Sequence, residues 1–437
     1  MFIEKIISPL EYHVDFLALP GENYELRFVS YEEKTTVSGD GRSFVFMLRN
    51  LSVIREKEIL YPDEGLKAIQ KCQLCILKKF TQICEENKLN YCGFYGTMLG
   101  AVRHRGFIPW DDDIDVAMPR KDFDRFIKIF QMAQEKEYYL DTMENSSAFW
   151  GGYAKLGDRR TTLFTKSDKE KDIGHGISID IFPLDYYEEN FEKRKKQLKR
   201  IGYLQKLILE KTYGKSGLKA FTGRWERLRL RVVSKIFKRE FLLEKLNQLF
   251  RQCNESKYMT VLSRNYLNFE REFYNSNIFS EQVFIMFDNV EIKIPREYDK
   301  CLAARYGKGY ILYSGREANG GREDRLINAE ISYLEIQKHL IFDILDARKL
   351  LIIGDIKSIE KYLKKDKNKK DYIYIYDIFN QSVNITIENS MVIEKEEAIS
   401  LWDRGVTVLV CTQNLNRIIN ALMKYSIDNY YIYMGDL

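Results

Sequence analysis

The chain has 437 residues, 45% of them hydrophobic and 14% aromatic, with only 7 Pro. That composition supports a sizeable core plus smaller units and excludes long disordered stretches. A net charge of +5 is too small for nucleic-acid binding, and seven irregularly spaced cysteines exclude a disulfide framework and point to a reducing compartment. Met1-Phe2-Ile3-Glu4-Lys5 lacks a basic n-region and an apolar h-region, and no apolar run approaches a membrane span. A cytoplasmic protein is expected.

Residues 1–60 read as a β-rich extension, with strands at Val14 to Leu17, Glu25 to Val29 and Ser43 to Leu48 separated by turn residues such as Pro20-Gly21 and Gly39-Asp40-Gly41. Asp63 can cap a helix to about Lys88, in which Leu66, Ile69, Cys72, Ile76, Phe80 and Ile83 recur at helical spacing. Cys72 and Cys75 fall within that run, which lacks the loop geometry of a zinc knuckle. A strand is predicted at Tyr91 to Tyr95, then a Gly96-Thr97 turn, a short helix to Arg103, a strand from Asp113 to Met118 and a helix opened by Asp122. Further strands are predicted at Tyr153 to Leu156, Thr161 to Phe164 and Gly176 to Phe182. The alternation predicts an α/β or α+β core. Residues 191–256 read as helical, and Val290 to Ile294 as a strand. After a helix near Ala329 to Leu345, strands at Leu350 to Ile353, Tyr372 to Tyr376, Val406 to Val410 and Tyr430 to Tyr433 alternate with helices around Ile359 and Ile418. The expected domains are therefore 1–60, a catalytic unit over 61–345 and a Rossmann-like α/β unit over 346–437. Gly354 is the sole glycine of what would be a dinucleotide fingerprint, so that unit reads better as structural or oligomeric.

The chemistry centres on Asp113-Ile114-Asp115-Val116. As a strand it puts both carboxylates on one face, about 7 Å apart, with Ile114 and Val116 inward. Two such anions raise each other's pKa unless a cation lies between them, and hard oxygen ligands suit Mg²⁺ or Mn²⁺ bridging to substrate phosphates. Asp180, in the alternating Ile177-Ser178-Ile179-Asp180-Ile181, supplies a third acid if its strand neighbours the first. Between a strand and a helix, Gly96 permits close backbone approach and the Thr97 hydroxyl can donate to a phosphate. Arg103, His104 and Arg105 add positive charge for a diphosphate. The bland alternative makes the acids a solvated turn and the three basic residues an exposed loop.

The ungapped string from Tyr95 to Val116, through Gly96-Thr97 and Trp110-Asp111-Asp112-Asp113-Ile114-Asp115, resembles the signature of the LicD family of phosphotransferases, in the nucleotidyltransferase-fold superfamily with the fukutin-related proteins. Ser178 to Asp185 resembles a second family block and Tyr306-Gly307 the end of the family domain, so the resemblance covers about residues 63 to 312. It implies a nucleotidyltransferase-like mixed sheet and transfer of a phospho-alcohol from a CDP-linked donor, most often CDP-choline, to a glycan or glycolipid hydroxyl, releasing CMP. It also implies that Asp113 and Asp115 are the metal pair and that Asp180 completes the site or takes the acceptor proton.

Around these, Lys155 is a candidate phosphate contact against a solvated strand lysine, and His175 reads as a structural loop residue. Trp110, Phe149 and Trp150 are candidates for an aromatic box around a quaternary ammonium group, against ordinary core. Residues 193–239 hold seventeen Lys or Arg against Glu210 and Glu226. Their interleaved apolar residues suit either an anionic membrane surface, which would put the protein at the inner face of the plasma membrane, or a solvated helical face. The competing functions are a nucleotidyltransferase or D-x-D glycosyltransferase, and a non-catalytic scaffold in glycan assembly.

Overall fold

The computed structural model describes residues 64–165, 173–213, 223–267, 273–311, 325–341, 349–365, 372–377, 390–404, 406–411 and 430–433, with short strands at 35–36, 43–44 and 386–387. The chain forms two compact units, residues 1–61 with 311–316, and residues 62–310 with 317–437. In the first, β1 (Thr35–Thr36) pairs antiparallel with β2 (Ser43–Phe44). The strands expected at Val14 to Leu17 and Glu25 to Val29 lie outside the described residues.

The second unit opens with α1 (Glu64–Glu86), which buries Leu66, Ile69, Ile76, Leu77, Phe80 and Ile83 along one face, as their spacing predicts. Cys72 is half-buried there and Cys75 exposed, and all seven cysteines are free thiols. Burial pushes the Cys72 thiol up to about 12, the opposite of what a metal thiolate needs.

Next come β3 (Cys92–Gly93), α2 (Tyr95–His104), β4 (Asp115–Pro119), α3 (Arg120–Ala133), β5 (Tyr138–Asp141), β6 (Ala154–Asp158), β7 (Thr162–Thr165) and β8 (Ser178–Tyr186). Helices α4 (Phe191–Tyr213), α5 (Arg224–Ile236) and α6 (Arg239–Phe250) fill the basic segment. They pack on a cluster that includes Ile201, Ile208, Leu230, Leu246 and Phe250. The chain continues through β9 (Tyr258–Thr260), β10 (Tyr274–Asn275), the hairpin of β11 (Gln282–Phe287) and β12 (Val290–Pro295), and α7 (Tyr298–Tyr306).

The first large sheet runs β10-β9-β8-β4-β3, with β6 also on β8 and β5 on β6. Strand β8 is its axis. One edge pairs parallel with β4, and the other pairs antiparallel first with β6 and then with β9. Ile177, Ile179 and Ile181 are fully buried between its polar residues, so the alternation read in the sequence fixes which face holds the acids. Strands and helices differ from expectation at their ends. Tyr95 belongs to α2 rather than to the preceding strand, Gly96 and Thr97 lie in the first helical turn, and Asp113 precedes β4 instead of starting it.

In the C-terminal part, β13 (Arg325–Asn328) pairs with β7. It is followed by α8 (Tyr333–Ile336), β14 (Leu340–Ile341), β15 (Lys349–Gly354), α9 (Ile356–Lys365), β16 (Tyr372–Asp377), β17 (Thr386–Ile387), β18 (Ser390–Val392), α10 (Lys395–Asp403), β19 (Thr407–Cys411) and β20 (Tyr430–Tyr433). Of the helix expected from Ala329 to Leu345, the described residues form α8 and one 3-10 turn and then enter β14, and residues 342–345 lie outside them. The helix expected around Ile418 lies outside the described residues. The second large sheet, β14-β20-β19-β15-β16-β18-β17, is parallel apart from β17. Gly354 serves strand packing here, because a Cβ at that position would lie 1.8 Å from the Cys411 carbonyl oxygen. The Asp355 carboxylate accepts from the Ser358 N–H (2.9 Å), filling the helix end where a dinucleotide phosphate would sit.

The start of α3 is tied to β8 by a buried fork. Arg120 donates from Nε and Nη2 to the two oxygens of Asp185 at 2.6 and 2.8 Å, and its guanidinium lies over the Phe123 and Phe250 rings. Asp185→Ala strands a largely buried guanidinium, so urea denaturation should show a loss of about 3 to 5 kcal/mol. The double variant Arg120→Met/Asp185→Leu should lose clearly less. Equal losses would mean the pair is not what the fold depends on there.

Candidate active site

The acids are assembled by backbone pairing. In the parallel β4–β8 ladder Asp115 is the register partner of Asp180, which sets their side chains next to each other on one face. The pairing extends one residue beyond β4, since the Asp180 N–H donates to Ile114 O (2.9 Å). Alternation is thereby carried back to Asp113, with Ile114 and Val116 fully buried on the other side. Asp113 reaches solvent, while Asp115 is buried.

Helix α1 holds this acidic loop in place. Gln70 Nε2 donates to Asp111 O (2.9 Å), and the buried Gln73 Nε2 donates to Asp112 O (2.8 Å) and Ser178 O (3.1 Å), linking the loop to the start of β8. Helix α2 holds it from the other side. The buried Thr97 hydroxyl accepts the Asp115 N–H at 2.8 Å, so its first task is to fix the strand that carries the acid. Gly96 is required because Asp111 crowds it: a Cβ there would lie 2.8 Å from Asp111 Oδ2. The N-terminal turn of α2 therefore lies beside the acids.

Asp111 is a fourth carboxylate that sequence reasoning left in the loop. Burial first, then the charge of Asp113, pushes its pKa up to about 8, and the two carboxyl groups share a hydrogen bond. Burial, followed by repulsion from Asp113 and Asp180, holds Asp115 well above the usual carboxylate range. Anions crowded in this way call for a cation, and without one a proton serves on Asp111. The donor set, all hard oxygen, fits Mg²⁺ or Mn²⁺. Among the described residues no three acidic, His or Cys side chains close into a preformed cage, so the expected convergence of Asp113, Asp115 and Asp180 is an open row. An open row suits an ion completed by water and substrate phosphates.

Lys155 does reach the acids. It is the register partner of Asp180 across β6–β8, with Nζ 3.1 Å from Asp180 Oδ1. Burial works against its ammonium, but Asp180 outweighs that and raises its pKa. Two arginines absent from the sequence reading stand close by. Arg264 lies over the Tyr95 and Phe182 rings at 5.1 and 5.0 Å and exerts an attractive field on Asp115, and Arg305 lies over Tyr95 at 4.6 Å. No local pattern marks either one, since each arrives through a distant segment.

Arg103, His104 and Arg105 are not brought to the acids. They end α2, about 12 Å along the helix from Gly96. Arg103 donates to His104 Nε2 (2.9 Å) and to Tyr310 O (3.2 Å), and Arg105 is the left-handed C-cap. Burial and then Arg103 lower the His104 pKa to about 4, so the ring is a neutral acceptor. Arg103 and Arg105 put positive charge at a helix C-terminus. Of the three residues considered for an aromatic box, Trp110 packs on the core around β4 and β8, Phe149 and Trp150 pack with the α4–α6 cluster, and Tyr153 packs against both clusters. His175 is buried and stacked on Phe164 at 4.2 Å, a structural loop residue as expected.

Residues 88–213 match the family model for the LicD/FKTN/FKRP nucleotidyltransferase domain. Over those residues the chain carries a LicD-type domain. It is 26% identical over 252 residues to the lipopolysaccharide cholinephosphotransferase LicD of Haemophilus influenzae, a match covering 55% of this chain and 90% of that protein. An uncharacterised protein of Rickettsia typhi is 32% identical over 124 residues (28% of this chain, 37% of that one), and one of Rickettsia prowazekii is 40% identical over 62 (14% and 23%). The LicD segment carries all four acids and Lys155, whereas Arg264 and Arg305 lie C-terminal to it.

Thr97→Val removes the acceptor for a buried N–H. It should lower stability by about 1 to 3 kcal/mol in chemical denaturation, with Thr97→Ser recovering most of that loss. A Val variant as stable as wild type would remove Thr97 from the support of Asp115.

Proposed function

We propose that this chain is a LicD-type transferase that moves phosphocholine from CDP-choline to a hydroxyl of a cell-surface glycan or its lipid-linked precursor, releasing CMP. The observation that carries this reading is the in-register pair Asp115 and Asp180, flanked by Asp113 and Asp111 and with the N-terminus of α2 beside it. Similarity to a lipopolysaccharide cholinephosphotransferase over 90% of its length supports the choice of group and acceptor class.

Asp113, Asp115 and Asp180 would hold Mg²⁺ or Mn²⁺, which would supply charge neutralisation to the donor diphosphate and the departing CMP. The remaining chemistry falls to the chain. Lys155, Arg264 and Arg305 add positive charge beside the acids, suited to steadying the phosphoryl oxygens. The acceptor oxygen attacks the choline-bearing phosphorus, a new P–O bond forms, and the P–O bond to the bridging oxygen breaks as CMP leaves with that oxygen. With its Oδ1 engaged by Lys155, Asp180 has Oδ2 left either to complete the ligand set or to take the acceptor's proton. Holding the reactants in line is the larger part of such catalysis.

Incubation with CDP-choline, CTP and sugar nucleotides, followed by mass spectrometry of acceptor and nucleotide, should give CMP and phosphocholine-modified acceptor from CDP-choline alone. Asp115→Asn and Asp180→Asn should each lower kcat by on the order of 100-fold with the thermal melt retained, and a chelator should abolish turnover until Mg²⁺ is restored. Transfer of a nucleotidyl or sugar moiety, or full activity in both Asn variants, would refute the reading.

A further inference from the structure

Helix α5 carries two apolar faces back to back. Leu230 and Ser234 are buried toward the α4–α6 cluster, with Val233 packed beside it. At about 100° per residue, Trp225, Leu228, Val232 and Ile236 fall on the opposite side. All four stand in solvent, at 82, 52, 57 and 69% exposure. Phe237 and Phe241, stacked at 5.4 Å and also exposed, continue the strip into α6.

Along α5 the charge that flanks this strip is basic, while Glu240 and Glu244 stand exposed beside Phe241 in α6. Arg229 and Lys235 lie along its two edges and Lys238 beyond its end, all exposed. The two acids of residues 193–239 are neutralised within the helices: Glu226 pairs with Lys206 (2.9 Å) and Glu210 with Arg231 (3.0 Å). A second copy of the chain would set the same basic edges against each other in a two-fold contact, which like charges disfavour. An anionic surface meets both the apolar strip and its rim. No helix among the described residues is long and apolar enough to cross a membrane.

We propose that α5 lies in the plane of an anionic lipid bilayer, with Trp225, Leu228, Val232 and Ile236 entering the headgroup region while Arg229, Lys235 and Lys238 meet lipid phosphates. Such docking would bring the chain to lipid-borne material, and it stands apart from the transferase reading because none of these residues belongs to the acidic site.

The test is co-sedimentation of the full chain with vesicles of phosphatidylcholine alone and of phosphatidylcholine mixed with phosphatidylglycerol. The variants are Leu228→Gln/Val232→Gln and Arg229→Gln/Lys235→Gln, and melting curves check their folding. Wild type should bind the mixed vesicles at low salt, release them at high salt and ignore phosphatidylcholine alone. Each double variant should bind on the order of tenfold more weakly with an unchanged melt. The proposal is overturned if wild type stays in the supernatant, or if both variants bind as wild type does. It is also overturned if wild type fails to bind and forms a dimer that Leu228→Gln/Val232→Gln dissolves.

Discussion

Everything at the candidate site depends on forcing like charges together. Asp115 and Asp180 repel, and only the β4–β8 backbone ladder, continued through Ile114, holds them in register. Each strand is in turn committed by its apolar face, because Ile114, Val116, Ile179 and Ile181 are fully buried and a one-residue slip would exchange them with the acids. Hydrophobic burial thus supplies the free energy that the carboxylate cluster takes away. The same logic explains the support behind it: Gln73 and Thr97 are buried polar groups whose hydrogen bonds go to the backbone of the acidic loop and of β4. A site under internal repulsion needs such fixed partners, since any slack would let the acids move apart.

Much of this was legible in the sequence because it is local. Period-two alternation located β8 and the face of Asp180, and helical spacing located α1. The LicD-like string from Tyr95 to Val116 marked the acids before any geometry was known. The family's second block likewise contains Asp185, whose pairing with Arg120 ties α3 to β8. Signals of that kind require only that neighbours in the chain obey one period.

What was not legible is long-range or depends on where an element ends. Arg103, His104 and Arg105 looked close to Gly96 in sequence, yet an intervening helix carries them to its far end. Asp111 looked like one more loop acid until Gly96 proved to be packed against its carboxylate. Arg264 and Arg305 reach the site from a 3-10 turn after β9 and from α7, segments whose composition gives no hint of it. Gln70 and Gln73 read as the polar side of a packing helix, and only the fold shows that they hold the loop bearing the acids.

The charges gathered there constrain how the proposed reaction can proceed. Four carboxylates face three cationic side chains, Lys155, Arg264 and Arg305, and burial and mutual repulsion raise the pKa values of Asp111, Asp113 and Asp115, so the negative charge of the cluster is held down. A diphosphate arriving alone would add negative charge to a cluster already strained by repulsion, and a divalent ion arriving alone would lie near three cationic side chains. Arriving together, they leave the sum nearly unchanged, so binding as a metal–nucleotide pair is the course electrostatics favours. On the proposed reaction, the strand register that makes the acids repel one another would thus also make donor and ion depend on each other for entry.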